Sequence, residues 1–481
     1  MTSSQAMVAA FLVMLLFSSG AAFVRAAVDE LQLEWQKFPP GISGISVIQT
    51  SDGGYIALGT NATFYDNPEG AEYVNASSLL VKTDAEGNLT WTKSIPQEAP
   101  HETLSSMILT SDGGFALAGT KPVEVPVNYG KGIIMPMNVS QFYLLKANSE
   151  GEIQWNRTYI KDDSKSQNTN FHSFIQTNDG GYALTGTYIF FSTPLIWCVK
   201  TDSSGNLQWN KTIDAGGYAI ASSIVQTSEG GYTLLGQNYV QGGGASLLAV
   251  KLDSSGNTQW IKEYPNLDRY TSSSSCGIAT SDGGYMISGS TYIDHQGTYG
   301  LLVKIDASGN LLWNNTYGEP DSRIYSVAQT ADNGYVFAAS TGRNESSSGS
   351  AWIVKTDNTG KIEGQIKLKN PDFSANQPKQ IITTTDGGYA FVGDWSSQIG
   401  SPNSDQKFWL VKLSPTMTPP TATTNPTPNK KPPSSSNLLI AAVTITTVLI
   451  GTGSALFYFK RKHKNRNMTT RIPQQICLFI V

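Results

Sequence analysis

Two short motifs recur in a fixed order along most of the chain, and that recurrence restricts its fold more than any other feature. The first is an acidic or amide-flanked Gly-Gly turn, seen first as Ser51-Asp52-Gly53-Gly54-Tyr55 and repeated at 111–115, 178–182, 228–232, 281–285, 331–335 and 385–389. The second follows each of the first six and is clearest as Thr201-Asp202-Ser203-Ser204-Gly205-Asn206-Leu207-Gln208-Trp209. Its other copies begin at Thr83, Ala147, Leu252, Ile305 and, more worn, Thr356. The acidic residues at 52, 112, 179, 229, 282, 332 and 386 set a period of 50 to 67 residues, repeated seven times.

Within one unit the pattern is four short strands, which in the third unit are expected at 174–177, 182–187, 195–200 and 207–213. Each is rich in β-branched and aromatic residues and bounded by Gly, Asn, Asp or Ser. Asp-Gly-Gly suits the hairpin between the first two strands, because Gly accepts the positive φ of a tight turn. Asp-x-x-Gly-Asn suits a type I turn closed by a left-handed residue, between the last two. No unit carries a helical period, and one small antiparallel sheet cannot bury both faces alone. Seven such units stacked radially make an all-β, seven-bladed β-propeller. The seventh unit runs through Phe408 to Lys412 and stops at Pro415 without its outer strand. A matching strand stands at the other end, Leu31-Gln32-Leu33-Glu34-Trp35-Gln36-Lys37-Phe38, so the N-terminal segment is expected to close the ring as the outermost strand of the last blade.

The flanks define the other expected domains. Residues 1–27 read as a signal peptide, with an apolar run over 7–24 before Arg25-Ala26-Ala27; a retained anchor is the alternative. The propeller is expected over 28–413, followed at 414–437 by a stalk of Pro, Thr, Ser and Asn. Residues 438–459 carry no charge and are long enough to cross a bilayer as a helix. The basic cluster Lys460-Arg461-Lys462-His463-Lys464 opens a tail, 460–481, that belongs on the cytoplasmic side. These expectations describe a single-pass protein of the cell membrane with its propeller outside. A net charge of −4 argues against nucleic acid as a partner. Cys198 and Cys276 fall in non-adjacent blades, which favours two small buried side chains over a disulfide. Asn-x-Ser/Thr triplets at Asn61, Asn75, Asn88, Asn138, Asn156, Asn210, Asn314 and Asn344 are possible glycosylation sites on loops or outer strands.

Chemistry is harder to find than architecture. The outer-strand ring recurs as Trp35, Trp91, Trp155, Trp209, Trp260 and Trp313, with Gly364 in its place in the sixth unit. Such recurrence indicates structural filler between adjacent sheets, where truncating a fully buried ring to Ala costs about 3–5 kcal/mol. The acidic residues of the Gly-Gly turns are expected to cap them through local bonds to backbone. Oxygens at Asp84, Glu86 and Asn88 fall short of a calcium loop, so no metal site is assigned. The four histidines have no metal spacing, and no nucleophile elbow or phosphate loop occurs, so no catalytic residue is assigned.

Asp-x-x-Gly-[Asn/Lys]-x-x-Trp resembles the tryptophan-docking motif of the pyrroloquinoline-quinone propeller superfamily. The whole pattern over 29–413 resembles the Asp-Gly-Gly-Tyr repeat propellers of archaeal and bacterial cell-surface proteins. The quinoprotein dehydrogenases of that superfamily carry an adjacent cysteine pair beside the cofactor. This chain has no Cys-Cys, so the resemblance brings no cofactor with it.

What remains is the face formed by the connections between second and third strands. Those of the first two units are longest, 61–78 and 121–141, and hold Phe64, Tyr65, Tyr73 and Tyr129. Long loops on a rigid scaffold are common binding positions, and aromatic rings among amides suit a sugar or peptide. The leading expectation is a non-enzymatic surface protein for adhesion or envelope organisation, whose partner is a glycan or an envelope protein. An extracellular polysaccharide hydrolase or lyase and a purely structural envelope component are the alternatives.

Overall fold

The computed structural model describes residues 29–418, apart from 68–69, 100, 129–133, 162–168, 191–192, 241–243, 265–269, 343–348, 370–374 and 397–405. The expected signal peptide, the apolar segment at 438–459 and the basic tail therefore lie outside the described residues. β1 (Asp29–Lys37) comes first. Blade 1 is β2 (Ser43–Gln49), β3 (Tyr55–Asn67), β4 (Gly70–Thr83) and β5 (Leu89–Ile95). Blade 2 is β6 (Thr103–Leu109), β7 (Phe115–Asn128), β8 (Ile134–Ala147) and β9 (Ile153–Tyr159). Blade 3 is β10 (Thr169–Gln176), β11 (Tyr182–Phe190), β12 (Thr193–Thr201) and β13 (Leu207–Ile213). Blade 4 is β14 (Tyr218–Gln226), β15 (Tyr232–Val240), β16 (Gly244–Leu252) and β17 (Thr258–Tyr264). Blade 5 is β18 (Tyr270–Ala279), β19 (Tyr285–Ile293), β20 (Gly297–Ile305) and β21 (Leu311–Tyr317). Blade 6 is β22 (Arg323–Gln329), β23 (Tyr335–Thr341), β24 (Ser350–Thr356) and β25 (Ile362–Leu368). The last blade is β26 (Ala375–Thr383), β27 (Tyr389–Ser396) and β28 (Gln406–Thr418), completed by β1.

This is an all-β propeller of four-stranded antiparallel blades, seven when the one eight-stranded sheet is counted as two. The first strands touch in a closed circuit, β2 to β6, β10, β14, β18, β22, β26 and back to β2. Seven apolar clusters fill the seven gaps between neighbouring blades, so the core is a ring of interfaces. β1 pairs antiparallel with β28, from Glu30 opposite Thr418 to Lys37 opposite Leu410, which makes it the outer strand of the last blade. β28 thus continues five residues beyond the boundary expected at 413, into the start of the supposed stalk.

The two motifs explain how the blades adhere. Each outer-strand Trp lies across the glycine of the next blade's Asp-x-x-Gly turn. A methyl group on Gly87 would stand 2.7 Å from the Trp35 ring, and equivalent clashes link Gly151 to Trp91, Gly205 to Trp155, Gly256 to Trp209 and Gly309 to Trp260. Gly87 also holds a φ of 76°, so both its backbone and its bareness are required there. The same ring meets the Tyr of the next blade's Gly-Gly motif edge-on, with centroids 5.6 Å apart for Trp35 and Tyr55 and 5.7 Å for Trp209 and Tyr232. The aromatic ends of the two motifs are therefore partners across a blade boundary. All six rings are half-buried rather than fully enclosed, which lowers the expected cost of truncation to about 2 kcal/mol.

The acidic residue of each Gly-Gly turn does more than cap its turn. Asp179 accepts from the Gly181 amide at 3.0 Å and from the Thr177 hydroxyl, as the local-cap expectation requires. It also pairs at 2.8 Å with Lys200, a buried lysine of the third strand. The arrangement repeats from Lys82 with Asp52 to Lys412 with Asp386, and is loosest at Lys251 and Glu229, 3.7 Å apart. The Thr50 hydroxyl and Lys82 hold the Asp52 carboxyl at about 2. In Asp179 and Asp386 burial pulls upward, but the lysine, threonine and glycine-amide bonds outweigh it and keep both at about 2.

Near the axis a further series joins the blades. The residue after the bulge accepts an amide of the next blade in four of the first strands, Ser173 from Ile224 at 3.4 Å, Ser223 from Gly277 at 2.8 Å, Ser326 from Ile381 at 3.2 Å and Gln380 from Val47 at 2.6 Å, whereas Ser46 of blade 1 donates its hydroxyl to the Met107 carbonyl at 3.2 Å. Cys276 stands at this place in blade 5 and takes the Val327 amide, while burial raises its thiol pKa. It occupies a serine's position and also packs against the apolar cluster between blades 5 and 6, as expected of it. Cys198 is fully buried in the core between blades 3 and 4.

Deleting 29–38 removes the ladder to β28 and is expected to abolish cooperative thermal unfolding, although no repeat is touched; an unchanged melting curve would refute closure by β1. Trp91→Ala should cost about 2 kcal/mol in chemical denaturation. The aspartates have folded pKa values below their unfolded value of about 3.9, so their contribution is full above pH 4 and is lost as pH falls toward 2. Tm measured from pH 5 to pH 2 should drop through that window, less steeply in Asp179→Asn.

Candidate functional site

The two ends of the propeller differ in what they can present. The Gly-Gly and Asp-x-x-Gly turns share one end, and repeated contacts occupy most of their polar atoms. A cleft of about 420 Å³ between blades 5 and 6 lies here, lined by Ser281, Asp282, Lys304, Trp313, Gln329 and Asn333. Lys304 is committed to Asp282 and Gln329 to Ser281, so the cleft is a gap in the docking scheme.

The opposite end carries the hairpins between second and third strands and the connections between blades. The segments 61–78 and 121–141, expected as loops, are mostly strand. β3 and β4 pair out to Asn67 opposite Gly70, and β7 and β8 to Asn128 opposite Ile134. The physical reason is local: Thr, Phe, Tyr and Val crowd both arms, and two β-prone arms facing each other extend their ladder. Phe64 is in register with Tyr73, and Tyr65 with Glu72. The side chains of Phe64, Tyr65 and Tyr73, and all of Tyr129, lie outside the described residues.

Aromatic rings that the sequence did not single out stand on this end of blades 4 and 5. Tyr218 opens β14 and is in register with Tyr239 at the end of β15. Their rings meet edge to face with centroids 6.2 Å apart, and both are well exposed, at 46% and 37%. Tyr292 of blade 5 is 42% exposed in the equivalent place and is in register with Tyr270. The amide of Gln237 donates to the Tyr239 hydroxyl at 2.9 Å and accepts from the Ser274 amide of blade 5, which fixes the ring relative to the next blade. The Tyr218–Tyr239 pair depends on register between two strands, and neither residue belongs to a repeated motif.

Polar groups complete the rim. His172 on the inner strand of blade 3 is exposed to solvent at its surface but hemmed in by surrounding protein; it bonds the Thr187 hydroxyl at 2.9 Å, and desolvation pushes its pKa down to about 4. Gln377 of the last blade donates to the Tyr325 hydroxyl of blade 6 at 2.9 Å. Lys379 reaches Ser43 of blade 1 at 2.7 Å while paired with Asp394 at 2.6 Å, and Asp394 also accepts the Gly44 amide at 3.1 Å. This end therefore offers planar apolar faces and fixed amides and hydroxyls around an axis. Among the described residues no group of three or more His, Cys, Asp or Glu is placed to hold a metal ion.

His172 is neutral in the fold and would be protonated at an ordinary pKa near 6.5 when unfolded. Stability should therefore fall as pH drops from about 6.5 to 4, and His172→Gln should remove that share. Imidazole proton shifts followed by NMR should place the midpoint near 4; a midpoint above 6 would refute the desolvated setting.

No family model matches the chain, and no curated protein matches it. Among solved structures it is similar to extracellular domains 1–2 of Drosophila Semaphorin 1b, at 7% identity over 80% of this chain and 88% of that one, with a TM-score of 0.45. It is similar also to Sqt1 from Chaetomium thermophilum, at 10% identity over 80% and 99% of the two chains, with a TM-score of 0.42. The K499G mutant of NanB sialidase from Streptococcus pneumoniae gives 10% identity, 80% and 70% coverage and a TM-score of 0.41.

Proposed function

We propose that this chain is a non-enzymatic surface protein whose hairpin end binds a glycan or polysaccharide of the cell envelope, for adhesion or envelope organisation. The observation that carries the reading is the exposed Tyr218–Tyr239 pair with Tyr292 on the next blade. Sugar rings present flat C–H faces between hydroxyl edges, and two edge-to-face tyrosines beside a fixed amide offer the complementary pattern of stacking and hydrogen bonding. Display fits the same reading. A stalk over 414–437 and a membrane span over 438–459, as the sequence pattern suggests, would present the propeller at the cell surface. The repeat pattern is that of the Asp-Gly-Gly-Tyr propellers of archaeal and bacterial cell surfaces, to which we assign the chain on its motifs.

A polysaccharide hydrolase or lyase would use two available carboxylates roughly 5–10 Å apart. Asp394 is held by Lys379 and the Gly44 amide, and Glu263 by Asn238 and Ser246, which leaves both less suited to proton transfer than to structure.

The full chain in detergent should bind polysaccharide extracted from the source envelope saturably in isothermal calorimetry. Tyr239→Ala should raise Kd about tenfold, or ~1.4 kcal/mol, with Tm nearly unchanged. Equal affinity in wild type and variant would move the site elsewhere, and no saturable binding by folded chain would favour a purely structural envelope role.

A further inference from the structure

The Asn-x-Ser/Thr triplets look alike in sequence, but their amides stand in different surroundings. Asn210 accepts from the indole N–H of Trp197 at 3.4 Å, and that indole is completely buried. Asn156 donates through Nδ2 to Glu98 at 3.1 Å, tying the outer strand of blade 2 to the connection that enters the blade. Asn88 closes its own turn by donating to Asp84 at 3.0 Å and accepts from Lys37 of the neighbouring blade at 3.0 Å. A sugar takes one of the two Nδ2 hydrogens, so on Asn88 or Asn156 it competes with a bond that Nδ2 donates, and on the half-buried Asn210 it crowds the amide that the buried indole bonds. Asn61 and Asn138 differ. Both are exposed, on β3 and β8, opposite Ser77 and the exposed Glu124, and neither side chain has a bonding partner among the described residues.

We propose that Asn61 and Asn138 carry N-linked glycans while Asn88, Asn156 and Asn210 stay bare. This rests on the exported placement proposed above. The donor is an oligosaccharide linked to a lipid phosphate or pyrophosphate. Nδ2 attacks the anomeric C1 of its first sugar, the C1–O bond breaks, the lipid phosphate leaves with the electron pair, and the amide proton passes to a base of the transferase. The two glycans stand on blades 1 and 2, across the ring from the tyrosines of blades 4 and 5, and so leave that face uncovered.

The test uses the full chain from membranes of its own source cell. Peptides spanning the five asparagines are read by mass spectrometry for site occupancy, and intact cells are shaved with protease to establish which side the propeller occupies. Glycan at 61 and 138, with 88, 156 and 210 bare, is the expected result; Asn61→Gln and Asn138→Gln should each remove one glycan mass and leave Tm unchanged. Glycan at 88, 156 or 210, or bare asparagines at 61 and 138 on a propeller digested from outside, overturns the proposal. A propeller shielded from external protease overturns both the proposal and the exported placement, and the shaving result tells these failures apart.

Discussion

The structure depends on one contact repeated around a ring: an indole face lying on a glycine of the following blade. The contact has a direction: blades 1 to 5 each donate a Trp forward and receive one from behind. Both partners are narrowly specified. Any side chain at Gly87 would strike the Trp35 ring and would also have to adopt a φ of 76°. Cations lie over three of these rings, Lys93 over Trp91 at 5.3 Å, Arg157 over Trp155 at 5.7 Å and Lys262 over Trp260 at 5.5 Å, and add to the glycine contact there. Half-buried rings thus act as well-defined joints, while the fully buried apolar side chains lie in the clusters between neighbouring blades.

A ring built this way must end somewhere, and the irregularities of the sequence collect at that place. Blade 6 has Gly364 where the others have Trp, and the last blade has Pro415 where the others have an Asp-x-x-Gly turn. These are one event seen from two sides, since a Trp at 364 would have no turn to lie on. Direct strand pairing takes over the joint: β1 pairs in parallel with β25, Asp29 with Gly364 and Glu30 with Gln365, which fuses two blades into the eight-stranded sheet. Leu31 fills the space beneath, 1% exposed, in the cluster shared by blades 6 and 7. On the inner side Lys379, Asp394 and Gln380 reach Ser43, Gly44 and Val47 of blade 1, so closure is secured at both radii.

Much of this was legible in the sequence because the repeats report local chemistry. The turns, the strand count, the role of the Trp series and the split last blade all follow from residues a few positions apart. The lysines opposite the aspartates were legible too, since Lys82, Lys146, Lys200, Lys251, Lys304, Lys355 and Lys412 recur one strand later; they pass unnoticed because a lysine invites a solvent-exposed interpretation. The long hairpins read as loops because Asn, Asp, Gly and Pro interrupt them, although Val123, Val125 and Val127 alternate as the residues of a strand do. Tyr218, Tyr239 and Tyr292 were not legible. Their significance lies in cross-strand register and in which end of a blade they occupy, and neither is written in any one segment.

The division between the two ends follows from the joints themselves. At the turn end nearly every blade presents the same acidic residue, Lys, Gly and Trp, because each serves its own turn or the neighbour's joint, and a change there is felt at a blade boundary. Past those contacts, at the hairpin end, the strands run on with no repeated partner. Blades 1 and 2 lengthen there into hairpins, blades 4 and 5 place register-paired tyrosines, and blades 6, 7 and 1 join through amide, hydroxyl and ion-pair contacts. Seven nearly identical sheets thus yield an asymmetric surface. Variation at that end disturbs neither a turn nor a docked indole, and it is there that recognition can arise at the smallest cost in stability.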